Sequence, residues 1–218
     1  MIETIIANGT TIPPMIIIQE RVHMENWYTD KLDDNVQVVL SDSGYINSEL
    51  ALIYLDYLIK HTNAGIDKPT KVLLMDQHRS YMDNDFIIKA TANNIHPFPF
   101  PRYLTHVLQP LDVGVFHPYK HWHKRAVQHA MRNLDIDYNV ASFLRDLGEI
   151  RDDTFKRGTI LGAFRKAGIW PISCDIAIEK MKIYAPPELP SIEPQLPALP
   201  IIPTTPKRYS QAEHGLQF

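Results

Sequence analysis

The 218 residues are 44% hydrophobic and 22% charged, an ordinary globular composition that excludes disorder along the whole chain. A formal net charge of −3 gives no global attraction to nucleic acid, so any such binding must come from a local basic patch. Cys174 is the one cysteine and permits no internal disulfide, and no apolar run reaches bilayer length; together these predict a soluble protein of a reducing compartment with no membrane partner.

The first predicted element is a hairpin. Apolar, β-branched runs at residues 2–7 and 12–19 flank Asn8-Gly9, a dipeptide suited to the positive φ values of a tight hairpin turn. Residues 47–61, NSELALIYLDYLIKH, place Leu50, Ile53, Tyr54, Tyr57 and Leu58 on one helical face, with Asn47 or Ser48 able to cap the first turn. The run KVLLMD at 71–76 predicts a buried parallel strand that ends in a carboxylate. A helix over 83–93, a strand over 95–100 and a proline-marked loop follow. Pro110 then opens a helical pattern that extends to Asn133, with Pro118 placed to kink it. Helices over 140–150 and 154–167 complete a mixed α/β order, and Gly168 stops the last of them. A short helix and a proline-rich tail fill residues 172–218. From Pro186 to Pro206 a proline every few residues removes backbone donors and favours extended, disordered chain, which is a spacer or a ligand for a partner protein.

Two segments carry candidate chemistry. Strand ends are where α/β folds gather reactive groups, and Asp76 ends the 71–76 strand, although aspartate also serves simply to turn a chain. Asp112 stands just after Pro110, where helix-terminal donors also favour a carboxylate. Two carboxylates delivered by different elements to one end of a sheet suit a hard cation such as Mg²⁺, which keeps positions open for water and phosphate. Further along, Lys120, Lys124 and Arg125 interleave with Trp122, a pattern suited to tracking a phosphate backbone and stacking on bases, and equally to a solvated helix face with Trp122 in the core. His117 and His121 have zinc-ligand spacing, but there is no HExxH and no obvious third ligand.

The segments LLMDQHRSY, FPRYLTHVLQPLDVGVFHPYK and ILGAFRKAGIWP together resemble the DDE transposase domain of the pogo-like group in the mariner superfamily, the DDE superfamily endonucleases, whose relatives include jerky and centromere-binding protein B. NGTTIPPMIII and SDSGYINSEL resemble the same domain earlier in the chain. The resemblance implies an RNase H-like mixed sheet flanked by helices over residues 1–171, which cuts and joins DNA with three acids and Mg²⁺ or Mn²⁺. By the same resemblance, Asp76 matches the second acid and Asp112 the third, in QPLD, while the first acid has no counterpart here. Its strand is expected to be missing, leaving an unpaired sheet edge. His78 matches the family pattern, whereas Tyr81 stands where a second histidine is usual. The implied function is a transposon-derived endonuclease domain of the nucleus that binds DNA but is inactive as this chain. The alternative is a non-catalytic DNA- or protein-interaction module, a domesticated transposase remnant.

Overall fold

The computed structural model describes residues 1–133 and 137–184. Strand β1 (Ile2–Ile5) runs antiparallel to β2 (Thr11–Ile18), and β2 pairs in parallel with β3 (Gln37–Leu40). Gly9, with a φ of +92°, supplies the left-handed residue that the predicted hairpin turn needs. The β1–β2 register slips between Ile2 and Thr4, opposite Pro13 and Pro14. Prolines cannot donate to a ladder, so a bulge at this place is the expected response. Arg151 fills it: its Nη2 donates to the Ile12 carbonyl at 2.9 Å.

Helix α1 (Ser48–Thr62) starts where Asn47 accepts a hydrogen bond from the Leu50 N–H at 2.8 Å, as the capping residues predict. Its apolar face packs with Ile12 and Met15 of β2, and with Phe86 and Ala90 of α2 (Asn84–Ala92), in one core. Full burial of a side chain the size of Phe86 is worth roughly 1.5–3 kcal/mol. The opposite face of β2, through Ile16 and Ile18, meets Leu144 and Leu147 of α5 (Val140–Thr154) and Trp27. β2 is therefore covered on both faces, which explains its nearly continuous apolar run.

A second, two-stranded sheet pairs β4 (Lys71–Met75) in parallel with β5 (Ile95–Pro99), with α2 as the crossover. β5 contains Pro97 and Pro99, and a strand lacking those donors suits a sheet edge. Among the described residues, β4 pairs only with β5 and β1 only with β2. After β5 come the short α3 (Thr105–Leu108), a π-type turn at Leu111–Val115, α4 (Phe116–Arg132), α5, α6 (Arg157–Lys166) and α7 (Cys174–Tyr184).

The structure departs from the predicted elements in two places, a π-type turn and an extra strand. The helical run opens at Pro110 as predicted and reaches Arg132, but a wider i→i+5 turn holds residues 111–115 before its α-helical part, α4, starts at Phe116. Pro118 lies inside this continuous helical run, three residues past the π-type turn, and brings no N–H to the ladder there. Strand β3 was not anticipated. The proline-rich stretch at 186–206 lies outside the described residues.

Candidate functional site

Asp76 is the first residue past β4, and the loop after β5 leaves the sheet at the same, carboxyl end because the two strands are parallel. The Phe100 N–H donates to the Met75 carbonyl at 2.8 Å and fastens that loop to the strand end. Asp76 is exposed, and its Oδ1 accepts from the His78 N–H at 3.2 Å, which closes a local turn. His78 in turn caps a short 3-10 turn at Arg79–Tyr81 by accepting from the Ser80 N–H. The Tyr81 ring packs 5.5 Å from Phe86, and its hydroxyl is held well above the ordinary phenol range by burial, by Tyr54 and by the Asp76 charge.

Asp112 reaches the site from the π-type turn. Two motif segments of the sequence meet there: a Cβ placed on Gly114 would lie 2.6 Å from the Ala163 Cβ and 2.8 Å from its Cα, so α6 approaches this turn as closely as only glycine permits. That contact explains glycine within LDVGV and fixes the turn that carries Asp112. Asp112 itself is exposed on one side, yet its carboxyl is held above the usual range, first by burial and next by the Asp76 charge. Lys120 and His106 act in the opposite direction. The charge of Asp76 thus opposes ionisation of Asp112.

The basic residues of α4 separate. Lys120 acts on Asp112, and Lys124 is exposed. Trp122 is half-buried rather than in the core; Arg125 stacks over it at 4.9 Å, with the Lys156 ammonium 5.9 Å from the ring centre. Trp122 and Arg125 line a cleft of about 490 Å³ between α4 and α5 that also contains Asp146, Glu149 and Asp153. His117 and His121 join no metal-ligating group, and no cluster of three His, Cys, Asp or Glu side chains suited to a metal occurs among the described residues.

Glu3, which shares β1 with the family-like segment, is buried and bound. Arg151 donates from Nε to Oε1 and from Nη2 to Oε2, both at 3.1 Å. Sequence reasoning missed this pair, and it also assigned no chemistry to Arg102 and Tyr103. These two line an open cleft of about 410 Å³ with Asp76, His78, Phe100 and Thr105. The usable signal for them was position, a basic-aromatic pair just beyond the carboxyl end of a parallel strand.

The family described as DDE superfamily endonuclease matches residues 1–161. Among curated proteins, "MFS-type transporter clz9" of Cochliobolus lunatus is 26% identical over 197 residues, covering 90% of this chain and 21% of that protein. "Pogo transposable element with ZNF domain" of Homo sapiens is 24% identical over 152 residues, covering 67% of this chain and 10% of that protein. The chain therefore spans about a fifth and a tenth of the relatives it matches. No solved structure matches it. Among the described residues no helix is long and apolar enough to cross a membrane.

Proposed function

The chain belongs to the DDE superfamily endonuclease family, and from that premise we propose that residues 1–171 build the metal-holding edge of an RNase H-like, DNA-binding domain. The observation that carries this reading is the opposition between Asp76 and Asp112. Both carboxylates are exposed and come from distant segments, and the Asp76 charge adds to burial in holding the Asp112 carboxyl above its usual range, which supports their sharing one sheet end. Such an arrangement costs stability, and a bound cation offsets that cost. Support for the fold comes from the antiparallel β1–β2 hairpin and the parallel β4–α2–β5 unit.

The carboxylate pair fits one hard divalent cation, Mg²⁺ or Mn²⁺, because such ions bind through one or two protein carboxylates and take their remaining oxygens from water and phosphate. When bound, the ion would polarise a phosphodiester and lower the pKa of a coordinated water. Asp76 and Asp112 would hold it, His78 would keep the Asp76 carboxylate turned toward the cleft through its backbone N–H, and Lys120 and Lys124 would meet phosphates of the bound strand. Trp122 and Arg125 stack on each other beside three acids, so their contribution to DNA contact is smaller. Phosphodiester cleavage through two metal ions asks for more anionic oxygens than two aspartates provide. These 218 residues by themselves bind one ion weakly and bind DNA without cutting it. Residence in the nucleus follows from the same reading.

Titration calorimetry with Mn²⁺ tests the site. Weak, saturable binding of one ion is expected, abolished in both Asp76→Asn and Asp112→Asn. Binding that survives both substitutions would remove the site, and Mn²⁺-dependent nicking of plasmid DNA that vanishes in either variant would overturn the inactivity.

A further inference from the structure

Among the described residues three non-glycine residues have a positive φ: Asn63, Asn94 and Tyr103. Asparagine tolerates this region, and both asparagines have a structural reason for it. Asn63 ends α1, and Asn94 donates from its side chain to the Gly65 and Lys68 carbonyls at 3.2 Å. Tyr103 has no such reason. Its φ is +63°, the residue is 89% exposed, and its hydroxyl makes no hydrogen bond among the described residues. The side chain thus resists its backbone conformation and returns almost no burial. Strain of this kind persists where surrounding structure enforces it and function uses it.

The surrounding structure does enforce it. Phe100 is buried and fastened to the end of β4, and the Leu104 N–H donates to the Pro101 carbonyl at 3.2 Å, closing a turn around Arg102 and Tyr103. Arg102 donates from Nε to the Gln77 Oε1 at 3.1 Å, which ties the turn to the residue after Asp76. The Nη groups of Arg102 make no hydrogen bond among the described residues, and both Arg102 and Tyr103 border the cleft that contains Asp76.

We propose that Tyr103 is a stacking platform for an unpaired base of a DNA strand bound at Asp76 and Asp112, and that Arg102 grips the adjoining phosphate. The inference rests on the reading of this chain as a DNA-binding domain. An exposed aromatic face stacks on any base, and a guanidinium held by one nitrogen presents its remaining donors to phosphate oxygens. An unpaired base suits the platform because bases within a duplex are already stacked on each other.

The test uses the full chain and a short single-stranded oligonucleotide carrying 2-aminopurine, whose fluorescence falls on stacking. Wild-type protein and Tyr103→Phe should quench it equally. Tyr103→Ala should lose the quench and bind roughly tenfold more weakly with an unchanged salt slope, whereas Arg102→Ala should keep the quench and flatten that slope by about one unit. Tyr103→Gly should also lose the quench while melting about 2 °C higher, because glycine relieves the backbone. Full quenching and affinity in Tyr103→Ala would overturn the platform and leave the DNA-binding reading standing. Failure of the wild-type chain to bind the oligonucleotide at all would overturn both.

Discussion

Glu3 and Asp112 both have carboxyl groups held above their usual range by burial, yet one is locked to an arginine and the other faces a second carboxylate. The Glu3 side chain is 1% exposed, and a guanidinium engages both of its oxygens while also filling the bulge in β2 and lying over Phe155 at 5.1 Å. Every lone pair that matters has a partner inside the fold. Asp112 and Asp76 instead are exposed, and Asp76 accepts only from a backbone N–H among the described residues. On the function proposed above, the difference separates an acid that serves the fold from acids that would serve a ligand.

Breaking the first site should have the largest effect. Arg151→Met leaves the Glu3 carboxylate buried without its counter-charge and strips the bulged carbonyl of its donor, so urea denaturation should show a loss of about 3–5 kcal/mol. Replacing both partners, as Glu3→Leu with Arg151→Met, should cost much less, because the desolvated charge goes with its partner. A single variant as stable as wild type would mean that Glu3 is not held as an ion. Asp76→Asn, at the other site, should leave stability nearly unchanged.

The second site is broken through the turn that carries it. Gly114→Ala forces a Cβ to within 2.6 Å of the Ala163 side chain and 2.8 Å of its Cα. A packed interface answers such an insertion by shifting backbone, at about 1–3 kcal/mol. The shift moves Asp112, so Mn²⁺ affinity should fall together with the denaturation midpoint. Adding Ala163→Gly should restore only part of each, since it removes the methyl group and leaves the Cα in place. Complete rescue would show that the side chain alone sets the approach.

Much of this arrangement was legible in the sequence, and the parts that were not have physical reasons. Asn8-Gly9, the Asn47 cap and the Asp76 strand end follow rules that act over a few residues, and the structure repeats them. Strand β3 is four residues long and pairs in parallel with β2 across a long connection, so its local pattern carries little of its cause. The π-type turn at 111–115 escaped because apolar periodicity does not distinguish an i→i+4 from an i→i+5 ladder over one turn. Glu3 in β1 and Arg151 in α5 stand 148 residues apart in the sequence, and nothing local to either names the other. The motifs single out Asp76 and Asp112 one at a time, whereas the effect of the Asp76 charge on the Asp112 carboxyl exists only once β4 and the turn before α4 are placed together.

The smallest and most specific effect concerns that opposition. A carboxyl whose folded pKa lies above its unfolded value of 3.8 binds its proton more tightly in the native state. Its favourable contribution is therefore complete below pH 3.8 and is lost as the pH rises through the folded pKa. At neutral pH the ionised Asp112 destabilises the fold, and Asp112→Asn, which cannot ionise, should be slightly more stable than wild type. The gap should close as the pH is taken well below 3.8, where the carboxyl is protonated in both the folded and the unfolded chain. Partial exposure keeps the effect below about 1 kcal/mol, so matched urea titrations at several pH values are needed to read it. Saturating Mn²⁺ should remove the gap at neutral pH from the other direction, by stabilising wild type and leaving Asp112→Asn unchanged. An asparagine variant less stable than wild type at pH 7 without metal would mean that Asp112 is satisfied within the fold, as Glu3 is, and would place it among the structural acids.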